Sequence, residues 1–187
     1  MTLINTLRIA GVSTLLFACA GIVAAQGPTA SANLEMSATV QTAVQLNIST
    51  AVIPAGAAVT GAAGSGAFVL DFGNVNGLGI GTPTTGVSVV VDATGALYST
   101  PINVTPVFSG FTTETAGVGK TAGTDGDEDI AREGSTALNM IAPATTAAAF
   151  AGATSGSTNI RYVGFRIDRT EVAGVKEATI IYDVIVN

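Results

Sequence analysis

The chain has 187 residues, 7 of them Lys or Arg and 13 Asp or Glu, with no His, no Trp and a single Cys, and only 11% are charged. Without His, a nucleophilic Ser or Thr would depend on Lys120, Lys176 or a carboxylate for activation, and no Ser-x-x-Lys spacing is present, so most catalytic designs are excluded. Ala, Gly and Thr fill 80 of the 187 positions; low charge with few aromatics and abundant Thr, Val and Gly suggests a secreted β-protein more than a cytosolic enzyme.

The first 25 residues have the parts of a secretory signal: Arg8, an apolar run from Ile9 to Val23, then Ala24 and Ala25 before Gln26. Cleavage after Ala25 is expected. The run is interrupted by Gly11, Ser13, Thr14 and Gly21 and is short for a spanning helix. Leu16-Phe17-Ala18-Cys19 resembles a lipoprotein box, which makes a lipid on Cys19 the alternative, but the apolar run continues past it to Val23. The membrane is therefore expected to be met only through the signal segment or such a lipid, and the destination is extracellular, cell-surface or periplasmic. Removing residues 1–25 leaves 6 basic and 13 acidic residues and no cysteine. No disulfide framework is available, and an acidic chain without a basic stripe argues against nucleic acid as a partner. Residues 26–187 are expected to form a single domain.

From residue 34 to 48, Leu34, Met36, Ala38, Val40, Val44, Leu46 and Ile48 alternate with Glu35, Ser37, Thr39, Gln41, Gln45 and Asn47. That is a strand with one apolar face. At about 3.3 Å per residue it would span roughly 50 Å, so it either bends near Thr42-Ala43 or reaches outside its own domain.

The Ala/Gly stretch 49–67 reads as a loop, and Phe68–Val75 as a compact strand with a Gly73-Asn74 turn signal. Val87–Asp92 is apolar on both faces and is expected to be a central strand. Ile102, Val104 and Phe108 alternate with polar residues in the next, where Pro106 suggests an edge or a bulge. Residues 110–159 read as a long Gly/Thr/Ala-rich acidic loop, interrupted by short strands near 137–141 and 148–150. Val163, Phe165 and Ile167 mark one further strand, and Ala178–Val186 a last one, expected to be central. Six to eight strands and no convincing amphipathic helix point to an all-β, antiparallel sandwich.

Candidate chemistry is sparse. Asp125, Asp127 and Asp129 alternate like the opening of an EF-hand calcium loop, but Ile130 and Thr136 stand where that loop needs Gly and Glu. They are the only candidate metal ligands, for Ca²⁺, beside the plainer reading of a solvated acidic loop; no other cofactor is expected. Arg161, Arg166 and Arg169 suit cross-strand pairing with Asp168, Glu171 or Asp183.

With the strands laid out, the pattern resembles the bacterial secreted pilin-like and spore coat protein U-like β-sandwich families. The matching features are the alternating strand from Ala38-Thr39-Val40 onward, Leu70-Asp71-Phe72-Gly73-Asn74-Val75, the valine strand, and the closing Thr/Ile/Tyr/Val strand. The resemblance implies an immunoglobulin-like sandwich and a non-enzymatic subunit of an extracellular fibre or coat, whose partners are copies of itself or related surface subunits. The usual fimbrial disulfide is absent, and Val186 stands where an aromatic is expected next to last. In this reading residues 26–48 are the donor strand for a neighbour's sheet, with Leu34, Met36, Ala38, Val40, Val44, Leu46 and Ile48 as its assembly face. The competing class is a monomeric adhesin or carbohydrate-binding module, which requires 34–48 to fold back as an intramolecular strand.

Overall fold

The computed structural model describes residues 35–186 apart from Asp125 and residues 144–147. The expected signal segment, Cys19 and Leu34 lie outside the described residues. The chain divides into two compact units, residues 1–38 and 39–187. Of the first, the described residues 35–38 have no regular secondary structure and are exposed.

The second unit is all-β, and every strand pairing in it is antiparallel. Thirteen strands follow in order: β1 (Ala43–Thr50), β2 (Val59–Thr60), β3 (Val69–Leu70), β4 (Gly73–Asn74), β5 (Thr82–Pro83), β6 (Ser88–Val91), β7 (Gly95–Ser109), β8 (Ala116–Ala122), β9 (Ala131–Gly134), β10 (Met140–Ile141), β11 (Phe150–Ala153), β12 (Asn159–Asp168) and β13 (Ile180–Val186). Six of them form one sheet in the order β1-β7-β12-β9-β10, with β6 also paired to β7. A three-stranded sheet, β11-β8-β13, supplies the other side of the core, and β2-β3 and β4-β5 are small ribbons. Among the described residues no helix is long and apolar enough to cross a membrane.

β7 organises the larger sheet because it is long enough to hold two strands end to end on one side. Its residues 96–99 pair with β6 and its residues 102–109 with β1, while β12 runs along the opposite side. At Pro106 the ladder has a partner on one side only, Leu46 of β1, because β12 begins opposite Val104. A proline with no N–H to donate is tolerated there. The core is filled from both sheets by Ala96, Tyr98, Ile102, Val104, Val118, Val163 and Ile167, and Phe72 meets the edge of Phe165 at 5.0 Å between ring centroids.

Four expectations are corrected. Regular strand begins at Ala43, so 34–48 is not one continuous strand; the break falls at Thr42-Ala43. Ser88–Val91 is exposed at every residue and sits at a sheet edge, not in a centre. The closing strand β13 is likewise an edge of its sheet, with Ile180, Tyr182, Val184 and Val186 half-buried and Ile181, Asp183 and Ile185 exposed. Residues 110–159 hold more strand than expected: β10 and β11 lie close to the two short strands anticipated there, but β8 and β9 are added to them, and β8 is the middle strand of the second sheet.

Candidate assembly surface

The residues of the alternating N-terminal face separate into two groups. Val44, Leu46 and Ile48 lie in β1, where Leu46 and Ile48 pack against the core. Their strand is paired with β7 of the same chain over all eight residues. Met36, Ala38 and Val40 belong to residues 35–42, which have no regular structure and are exposed; Met36 is 86% and Val40 82% accessible. Apolar side chains at alternate positions of an exposed segment outside the strand ladders have the pattern that strand addition to a partner's sheet uses.

β6 is exposed on both faces and has β7 as its neighbour on one side only. Its hairpin is set by Asp92, whose carboxylate accepts hydrogen bonds from the backbone N–H groups of Thr94 (2.8 Å) and Gly95 (3.1 Å), a local Asx turn. The Arg166 guanidinium, 2.6 Å from the same carboxylate, acts with these hydrogen bonds to hold Asp92 well below the usual carboxylate range. Arg169 reaches the same corner, donating to the Asp92 carbonyl at 3.2 Å. It is exposed, and among the described residues it forms no ion pair.

A loop extends the apolar surface of β6. The Asn76 N–H donates to the buried Tyr98 hydroxyl (3.2 Å), which donates back to the Asn76 carbonyl (2.9 Å). The Asn76 side-chain oxygen then accepts from the N–H groups of Leu78 (3.0 Å) and Ile80 (3.3 Å). This turn lays Gly79 against Val91 and Val89: a β-carbon at Gly79, whose φ is +73°, would stand 2.2 Å from Val91 Cγ2. Leu78 and Ile80 are exposed on either side of it. Four exposed apolar residues, Leu78, Ile80, Val89 and Val91, are thus gathered by the Gly79 contact near an open strand edge. β6 itself lacks the Lys, Pro or bulge that usually guards a strand edge.

An apolar cleft of about 170 Å³ opens elsewhere in the fold, bordered by Ile48, Val59, Leu70, Phe72, Ile180 and Tyr182. Near it, four polar side chains meet between the sheets. Glu133 on β9 is fully buried; Lys120 on β8 pairs with its Oε2, and Arg161 on β12 holds it with Nε at 2.6 Å and Nη2 at 3.1 Å. The Tyr182 hydroxyl on β13 is 3.3 Å from Glu133 Oε1, and burial, then the Glu133 charge, push its pKa well above the ordinary value. Sequence reasoning missed this cluster, although Arg161 shares the inward parity of Val163 and Ile167, and Lys120 that of Ala116 and Val118. It paired Arg161 with other acids; Arg166 does approach Asp168, at 3.6 Å.

Of the calcium candidates, Asp125 lies outside the described residues. The Asp127 carboxylate accepts from the Glu177 N–H at 3.0 Å and lies 3.4 Å from Lys176 Nζ; the first of these lowers its pKa most. Lys176 also pairs with Glu171 at 2.5 Å. The Asp129 carbonyl accepts from Arg132. Among the described residues no group of three or more potential ligands comes together. These contacts tie the acidic loop to the segment that leads into β13.

Comparison with protein-family models, with curated proteins and with solved structures finds no match to this chain.

Proposed function

We propose that this chain is a non-enzymatic structural subunit of a secreted bacterial fibre, pilus-like filament or surface coat that assembles by strand addition between copies. The carrying observation is that one chain presents both halves of such a contact: an exposed segment outside the strand ladders with apolar residues at alternate positions, and an exposed sheet edge with three consecutive valines. A strand added to an open edge gains main-chain hydrogen bonds, and alternate side chains supply the specificity. The immunoglobulin-like form of the sandwich, the secretory route through residues 1–25 and the cell-surface destination belong to the same proposal.

The purified protein is expected to elute from size exclusion as polymers and to show filaments or sheets in negative stain. A variant lacking residues 26–42 keeps β1 in place and is expected to elute as a monomer. If that variant still polymerises like the full chain, strand donation by this segment is wrong.

One observation favours a second reading, a monomeric extracellular binding module. β1 folds back onto its own chain, as that reading requires for residues 43–48. The depression of about 300 Å³ beside Phe108, Phe111, Glu114 and Ser155 would be its natural ligand site. A clean monomer at all concentrations would select it.

A further inference from the structure

The assembly reading leaves the acceptor open between the apolar cleft and the exposed edges. Resting on that reading, we infer that the acceptor is the outer edge of β6 in a second copy, which takes residues 35–39 as an added antiparallel strand with Met36 opposite Val91 and Ala38 opposite Val89.

Three observations lead there. The first is parity. In an antiparallel pair, residues directly opposite share a face. Val89 and Val91 lie on the face covered by the Gly79 turn, with Leu78 and Ile80 exposed beside them. Setting Met36 against Val91 places Met36 and Ala38 on that apolar face. Ser37 and Thr39 then fall opposite Val90 and Ser88, on the other face.

The second is charge. This register brings Glu35, the only charged residue of 35–42, to the Asp92 position. There the Asp92 carboxylate is occupied by Arg166, while Arg169 stands exposed without an acidic partner among the described residues. Shifting the register by two residues keeps the parity but takes Glu35 away from Arg169, so the charge selects one register among those the pattern allows.

The third is reach, which fixes the occupant as a second copy. Ala43 is paired with Ser109 at one end of β7, and Ser88 with Ser99, ten residues back along it. Ten strand residues cover about 33 Å. Thr39 is four residues from Ala43, and an extended chain spans at most about 3.6 Å per residue, or roughly 14 Å. A chain therefore does not lay residues 35–39 on its own β6. The donor segment joins the chain through β1, whose first residue pairs with Ser109, while the acceptor pairs with residues 96–99 of β7; the two surfaces differ, so the contact is heterologous, and it propagates as an open, polar filament unless its rotation closes a ring.

The test is size exclusion with light scattering on the full chain and its variants, with circular dichroism to confirm folding. Val91→Glu, at an exposed position, is expected to convert polymers to monomers. Glu35→Arg and Arg169→Glu are each expected to shift the distribution to shorter species, and the double variant to restore it, which a merely structural role for either residue would not produce. Polymers unchanged by Val91→Glu would overturn β6 as the acceptor. If deletion of 26–42 still abolishes polymers in that case, strand donation stands and only its acceptor is wrong; if the deletion too has no effect, both ideas fall.

Discussion

Arg161 Nε lies 2.6 Å from Glu133 Oε1, and the two residues occupy adjacent strands of the larger sheet, β12 and β9. From the opposite sheet Lys120 and Tyr182, cross-strand partners on β8 and β13, complete the cluster. One carboxylate thus faces two cations in the interior. The balance matters because a buried charge without a partner is far more costly than a buried pair.

Glu133→Gln is expected to destabilise the fold by about 3–5 kcal/mol, since it strands two cations in the interior. Lys120→Met is expected to be clearly milder, because Arg161 and Glu133 remain a balanced pair. Urea denaturation of the two variants checks the order. If Lys120→Met is as damaging as Glu133→Gln, the charge accounting is wrong.

Tyr182 gives an alkaline signature. Its folded pKa is raised, so above the ordinary value of 10.0 the unfolded chain releases the phenolic proton first, and stability falls as pH rises. Phenolate absorbance is expected to show Tyr182 ionising later than a free tyrosine, together with unfolding. Tyr182→Phe should remove that component and flatten the stability profile above pH 10.0. A Tyr182 that titrates normally in the folded protein would refute this.

Asp92 gives the acid counterpart. Its folded pKa is lowered, first by Arg166 and then by Thr94 and Gly95, so its contribution is complete above the ordinary 3.8 and is lost as pH falls below that toward the folded value. The melting-temperature gap between wild type and Asp92→Asn should therefore be constant at neutral and mildly acidic pH and close in strong acid. A gap that does not change with pH would mean that the turn, not the ion pair with Arg166, is what matters.

The all-β, antiparallel character was legible in the sequence, because alternation along residues 43–48 and 163–167 has a direct physical cause in the pleat. The environments of the strands were less legible. Val89-Val90-Val91 looks like a buried strand because apolar residues occupy both faces, but that pattern also suits an edge that a partner covers. β8 was hidden for the opposite reason: its inward residues are Ala116, Val118 and Lys120, separated by Gly117 and Gly119, so neither hydrophobicity nor polarity alternates clearly. The partners of Arg161 were unreadable because Glu133 and Lys120 come from segments that no local rule brings together. Of the candidate site, the apolar alternation at Met36, Ala38 and Val40 could be read directly, whereas the patch around β6 depends on the Asn76–Tyr98 anchor, which only the fold provides.

Two glycines separate close packing from chain flexibility. A β-carbon at Gly164 would lie 1.9 Å from the Tyr98 carbonyl oxygen, whereas one at Gly117 would meet nothing within 4 Å. Gly164→Ala is expected to cost about 1–3 kcal/mol through overpacking, and Gly117→Ala to be neutral or to stabilise by up to about 1 kcal/mol. Thermal melts of the pair decide it; equal effects would contradict the packing assigned to β12.

The side of β7 shared by β1 and β6 has a gap at Thr100 and Pro101. Thr100, fully buried, fills it: its hydroxyl accepts from the Ala57 N–H at 2.7 Å and donates to the Gly86 carbonyl at 2.9 Å. Gly56 packs on the Pro101 carbonyl and Gly86 on the Gly56 backbone, so there is no room for side chains in the seam. One hydroxyl thus serves as a hinge pin, joining the loop after β1 to the loop before β6 without a strand ladder continuing between them. Each of the two edge strands can then open or take a partner while the other stays closed, and in hydrogen exchange they would register as separate units.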